Sequence, residues 1–198
     1  MLCKDEGNTT DREAFVSRYA LYAFDLGEED HLVRLNGEAF DCRQTSERNL
    51  RSLGMNTYEL DRLIRRYVTR FDGVFSCDRL PTKPTLFVCN TDPSYKPGKH
   101  WIAIYVADDG RYGEFFDSLG RRPNRLFERY MNEHCRVWTF NPTQLQSVAS
   151  GICGQYCACF RIIRSRGVDL SRFSNYFTRD TGLNDVVVHG LLCKMLND

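Results

Sequence analysis

The sequence predicts an α+β domain in which a short mixed, mostly antiparallel sheet packs on a central buried helix. Three observations carry that expectation. Apolar runs at 85–90, 100–106 and 112–117 have strand length, and the last two flank a hairpin turn, Asp108-Asp109-Gly110. From Asn56 onward, Leu60, Leu63, Ile64, Tyr67, Val68 and Phe71 recur at helical spacing. The segment 153–166 carries apolar or thiol side chains almost all round its first two turns, as a helix surrounded by neighbours should.

Taken in order, residues 1–45 read as an N-terminal arm, with a short amphipathic helix over 11–22 bearing Ala14, Phe15, Tyr19 and Tyr22 on one side. Residues 46–198 form the domain. Asn56 with Glu59 three positions on is a capping-box pattern, and Gly73 is the expected stop of the helix that follows. Pro81 and Pro84 punctuate a connector to the strand at 85–90. A loop over 91–99, rich in Pro and Gly, precedes the hairpin. A helix to about residue 132 carries Leu126, Phe127, Tyr130 and Met131, and 135–140 reads as a fourth strand. Polar 141–150 leads into the central helix, with Gly167 as its C′ residue. A last helix spans 184–196.

Composition narrows the class. The chain of 198 residues is 42% hydrophobic and 27% charged, globular rather than disordered, and its net charge of +1 selects no partner of either sign. The start lacks the apolar run of a signal peptide and no membrane-spanning stretch occurs, so an intracellular protein and a monomer are expected. Nine cysteines without a secretion signal read as free thiols. No CxxC pair exists, and His134, Cys135, Cys157 and Cys159 have no standard zinc spacing, so no metal is assigned. His31, His134 and His189 show no partner pattern.

Four residue types point to thiol chemistry. Cys153 opens the central helix, where unpaired amide N–H groups favour a thiolate. His100 starts one strand of the hairpin and can serve it as base. Asp117 ends the other strand, so the turn sets a carboxylate beside the imidazole, fixing its tautomer. Gln146, on the loop before the helix, can offer its amide N–H to a developing oxyanion together with the Cys153 backbone N–H. Gly154 is expected to leave room for substrate at the helix start. Singly, these residues are a core thiol, a strand cap, a turn carboxylate and a loop amide. Cys157 and Cys159, on the same helix, read as core.

His100-Trp101, the strand ending Gly113-Glu-Phe-Phe-Asp117-Ser118, the loop Gln144-Leu-Gln146-Ser147 and Cys153-Gly-Gln-Tyr-Cys157 resemble the adenovirus endopeptidase (adenain) family of papain-like cysteine proteases. That group includes proteases of Maverick/Polinton-type elements and, more distantly, the SUMO-specific Ulp proteases. The resemblance runs from about residue 50 to 166 and takes in Phe71-Asp-Gly73-Val-Phe-Ser76. It implies a cysteine endopeptidase acting near glycine on viral or transposon-encoded precursors, nuclear or virion-associated. In it His100 is the base, Asp117 the orienter, Gln146 the oxyanion donor and Cys153 the nucleophile. It further implies an activating peptide cofactor, disulfide-bonded at Cys135, and DNA as a second cofactor. The local basic features are Arg62, Arg65, Arg66 and Arg70 on one helix and Arg121, Arg122, Arg125 and Arg129 near another; balanced by acids elsewhere, they read first as a solvated helix face. Aspartate at 117 stands where the adenovirus enzyme has glutamate, as in the Ulp branch, which keeps a SUMO- or ubiquitin-type isopeptidase as the alternative. A domain that binds without catalysis is the reading from another class.

Overall fold

The computed structural model describes residues 32–35, 38–41 and 54–197. The helix expected over 11–22, and His31, lie outside them. Before residue 46, β1 (Leu32–Leu35) and β2 (Glu38–Asp41) pair antiparallel as a two-stranded sheet.

Helix α1 (Thr57–Tyr67) starts at the predicted capping box: the Asn56 side chain accepts from the Glu59 N–H at 3.0 Å, and the Glu59 carboxylate accepts from the Asn56 N–H at 2.9 Å. It ends six residues before the expected stop. Val68 is already extended, and Arg65 Nη1 donates to the Phe71 carbonyl at 3.1 Å, folding the chain back under the helix. Gly73 does not end the helix; at φ 134° it opens β3 (Gly73–Ser76), a strand that short apolar content did not reveal.

Strands β4 (Leu86–Asn90), β5 (Trp101–Val106), β6 (Tyr112–Phe116) and β7 (Val137–Phe140) complete a five-stranded sheet in the order β3-β4-β5-β6-β7. Its centre is antiparallel, β4 to β5 to β6; the outer pairs β3–β4 and β6–β7 are parallel. Asp72 fixes the first parallel pair, its carboxylate accepting from the backbone N–H groups of Thr85 and Leu86 at 2.6 and 2.9 Å. Helix α2 (Arg125–His134) precedes β7, and Cys135, expected to begin that strand, is the cap residue between them.

Alternation within the strands loads both sheet faces. Val88, Trp101, Ala103 and Phe116 join α1 and α3 (Cys153–Arg164) in one core, with α4 (Leu170–Ser174) and α5 (Thr181–Asn197) closing over it. Phe87, Cys89, Ile102, Ile104 and Phe115 pack against Phe127, Tyr130 and Met131 of α2 in the other. The α+β architecture with a mixed sheet and a central buried helix is therefore as expected: residues 153 through 162 of α3 are all buried. That helix stops at Arg164, two residues short of expectation, where Arg164 Nε meets the wholly buried Glu114 carboxylate at 2.6 Å and the guanidinium carbon lies 3.7 Å from the Tyr105 ring centroid. Arg161 is the exception inside the core. It has no exposure and, among the described residues, its guanidinium nitrogens have no hydrogen-bond partner; the group sits 4.8 Å from the Phe160 ring centroid. Burial pulls it down to about 9 despite the pull of Cys157 and Glu114 in the other direction.

The seven described cysteines are free thiols. Among the described residues no helix is long and apolar enough to cross a membrane, and no cluster of three His, Cys, Asp or Glu residues can hold a metal ion.

Candidate active site

The β5–β6 hairpin does what its turn implies. Its register sets Ala103 opposite Phe116, so His100, just before β5, and Asp117, just after β6, emerge side by side from one sheet end. His100 Nε2 lies 2.6 Å from Asp117 Oδ1, with side chains only 8% and 6% exposed. The same carboxylate oxygen accepts from the Leu119 N–H at 2.8 Å. Asn141 grips the backbone of residue 117 at both ends: its Oδ1 accepts from the Asp117 N–H at 2.9 Å and its Nδ2 donates to the Asp117 carbonyl at 2.7 Å. The carboxylate is thus aimed by fixed backbone, not by rotamer choice alone.

Cys153 is the first residue of α3, 9% exposed, and close enough to His100 to bear on the charge of its ring. Since Asp117 engages Nε2, Nδ1 is the nitrogen left for the thiol. Burial opposes a charged ring here, but the hydrogen bonds and negative charges of Asp117 and Cys153 outweigh it and raise His100 to about 9. An imidazolium at neutral pH beside a sulfur is the arrangement that favours thiolate. The helix start reinforces it: Ile152 in the cap position offers no side-chain acceptor, so no side chain competes for the first N–H groups.

The surroundings of Gly154 differ from the expectation. The space beside it belongs to the protein: a Cβ there would lie 3.2 Å from Trp101 Cδ1 and 3.3 Å from Met55 Cβ. The Trp101 indole N–H, donating to the Met55 carbonyl at 3.0 Å, locks that contact. Glycine at 154 lets α1's entry segment and Trp101 close on the helix start. A groove of about 500 Å³ beside it takes in Cys153, Trp101, Gly54, Gly151, the end of β3 and the 92–99 loop.

Gln146 is buried on the loop before α3, 2% exposed. Its Oε1 accepts from the Ser118 hydroxyl at 2.6 Å, and its Nε2 donates to the Ser150 carbonyl and hydroxyl oxygens at 3.0 and 3.1 Å. The loop is held from the far end of the chain. Asn184 Nδ2 donates to the Leu145 carbonyl at 3.0 Å, the Ser147 N–H reaches the Asp185 carboxylate at 3.3 Å, and the Tyr156 hydroxyl donates to Asp185 at 2.9 Å. Gly120, at φ 66°, brings the turn after Asp117 against this loop so closely that a Cβ would run into the backbone of Thr143 and Gln144. Ser118, Asn141, Asn184 and Asp185 escaped the sequence reading. Only Ser118 left a signal, as the neighbour of Asp117 in a matched segment.

The remaining candidates lie elsewhere. Cys135 is buried over Gly113 beside Met131, and burial raises its thiol to about 11, opposite to what disulfide exchange requires. Arg65 pairs with Asp61, Arg70 with Asp108 and Arg122 with Glu128, so part of each basic row is already matched within the chain. His134 Nδ1 bonds the Tyr130 carbonyl at 2.9 Å. His189, which the sequence left without a partner, has two: Gln155 Oε1 at 3.1 Å and the Cys193 sulfur at 3.5 Å.

No family model matches the sequence, and no curated protein does. Two solved structures of the ASFV pS273R protease are similar to the chain, one of them the selenomethionine form. Both are 20% identical over 69% of this chain; they are covered to 67% and 66%, with TM-scores of 0.48 and 0.49.

Proposed function

We propose that the chain is a cysteine endopeptidase in which Cys153 attacks, His100 transfers the proton and Asp117 orients the ring. The observation that carries this reading is the buried His100–Asp117 pair at 2.6 Å, with Cys153 at the start of α3 bearing on the charge of the same ring and lining a groove. In the reaction the Cys153 sulfur adds to the carbonyl carbon of the scissile bond. The carbonyl electrons move to oxygen, where the Cys153 N–H and the Gln146 amide receive the charge. His100 gives its proton to the leaving amine as the C–N bond breaks. It then takes one from the water that hydrolyses the thioester, freeing the acid and restoring the thiol. Substrates are peptide bonds near glycine in viral or transposon-encoded precursors, a preference inherited from the resemblance and in keeping with a groove lined by Gly54, Gly98 and Gly151 beside Trp101. Aspartate in the third position favours one other reading, an isopeptidase acting on ubiquitin-like conjugates.

An activated ester should give an acyl burst near one equivalent that vanishes in Cys153→Ala, while the thermal transition persists. A burst retained in that variant refutes the assignment. Cleavage of glycine-containing peptides separates the endopeptidase from the isopeptidase, which would instead react only with a ubiquitin-like C-terminal probe.

A further inference from the structure

Ser118 touches neither the thiol nor the imidazole in any contact described above, yet it holds residue 146 at both ends. Its carbonyl accepts from the Leu145 and Gln146 N–H groups at 2.8 and 2.9 Å, and its hydroxyl donates to Gln146 Oε1 at 2.6 Å. The side chain is completely buried. A primary amide presents an oxygen at one end and two N–H groups at the other, and only the second end can serve an oxyanion. Rotating the Gln146 amide by half a turn would press its oxygen on the Ser150 carbonyl and take the acceptor away from the Ser118 hydroxyl. A buried hydroxyl losing its acceptor and two facing oxygens both oppose that turn.

We propose that Ser118 is a positioning residue for the reaction: its hydroxyl selects the orientation in which the Gln146 amide turns its N–H groups toward the loop that leads to Cys153. The inference rests on the peptidase reading and gives Ser118 a part in it. One backbone step from Asp117, Ser118 ties the orienter of the base to the donor for the oxyanion through a single turn, so both sides of the tetrahedral carbon are set by the 117–120 segment. In the resting protein one Gln146 proton is held by the Ser150 hydroxyl oxygen, whose own proton goes to the Ser147 carbonyl at 3.2 Å. A charged oxygen displaces that neutral acceptor because hydrogen bonds to charge are roughly twice as strong.

The test compares two reactions at one sulfur. Acylation by an activated ester develops an oxyanion; alkylation by iodoacetamide does not. Ser118→Ala should slow acylation by about three- to tenfold, the worth of one neutral hydrogen bond, and leave the alkylation rate of Cys153 and KM unchanged. In the Gln146→Ala background it should add nothing further. If Ser118→Ala loses its thermal transition, Ser118→Cys, a weak donor of similar size, should show the same selective but smaller loss. Equal slowing of both reactions, or a full multiplicative loss in the double variant, overturns the inference while a normal burst in the unsubstituted protein keeps the peptidase reading. An unsubstituted protein with no burst sinks both together.

Discussion

On one side of Cys153 the β5–β6 hairpin delivers His100 and Asp117 across a turn of a few residues. On the other, the 145–152 loop delivers Gln146 only because Ser118 and two residues of α5, Asn184 and Asp185, hold it. The first flank is local and is made with the sheet; the second depends on the chain's last helix having docked. In the proposed reaction, proton transfer and oxyanion stabilisation share the 117–120 turn but lean on different supports beyond it, the sheet for one and α5 for the other, and those supports can be lost separately.

The hairpin flank should break hardest. His100→Ala removes both the proton donor and the charge beside sulfur, and turnover should fall by at least about 10³-fold with the melting temperature little changed. A decline of only a few-fold would show that another group serves as base. Asp117→Asn sharpens the same flank through pH. His100 titrates near 9 in the folded protein, so activity that needs the imidazolium should fall as pH rises through about 9. Removing the Asp117 charge should move that alkaline limb to lower pH. An unmoved limb would assign it to some other group. The sign for stability is the same: a ring raised above its unfolded value stabilises fully below about 6.5, and that contribution disappears as pH climbs past 9.

The loop flank should yield more gradually. Asp185→Ala leaves the Ser147 N–H without its acceptor and the Tyr156 hydroxyl with only the Leu145 carbonyl, at 3.1 Å. A cost of about 1–3 kcal/mol in urea unfolding is expected, with a lowered kcat and an undisturbed alkaline limb. A shifted limb would mean that the two flanks are not separable. Smallest of all is Arg161→Met, two turns beyond Cys153. Exchanging an unpartnered buried cation for an apolar side chain of similar length should raise stability by about 1 kcal/mol or more without touching either flank. A drop in stability would show that the guanidinium has an unseen partner.

The legible parts of the molecule were those whose cause is local. Asn56 and Glu59 announce their helix by a reciprocal bond three residues long, and the alternation around Asp108-Asp109-Gly110 places His100 beside Asp117 without reference to anything distant. Strand β3 was illegible for the opposite reason. Four residues opening on a glycine have little propensity of their own, and they form a strand only through parallel pairing with β4 and the Asp72 carboxylate. Ser118 and Asp185 hid likewise, since a serine after a strand and an acid in a helix are ordinary until tertiary contact puts an amide or a loop N–H against them. Gly154 marks the helix start in the sequence, but its crowding by Trp101 and Met55 arises from elements far apart in sequence.

Burial lifts Cys159 to about 12, Cys135 to about 11 and Cys157 well above its ordinary range, while Cys153 alone among the described cysteines borders a protonated ring. Cys77 and Cys193 are half-exposed, but burial raises their thiols too, so among the described cysteines Cys153 is the one expected to react first with electrophiles. On the proposed mechanism, oxidation of that one sulfur is expected to end turnover, so a reducing milieu would matter to the reaction rather than to the fold.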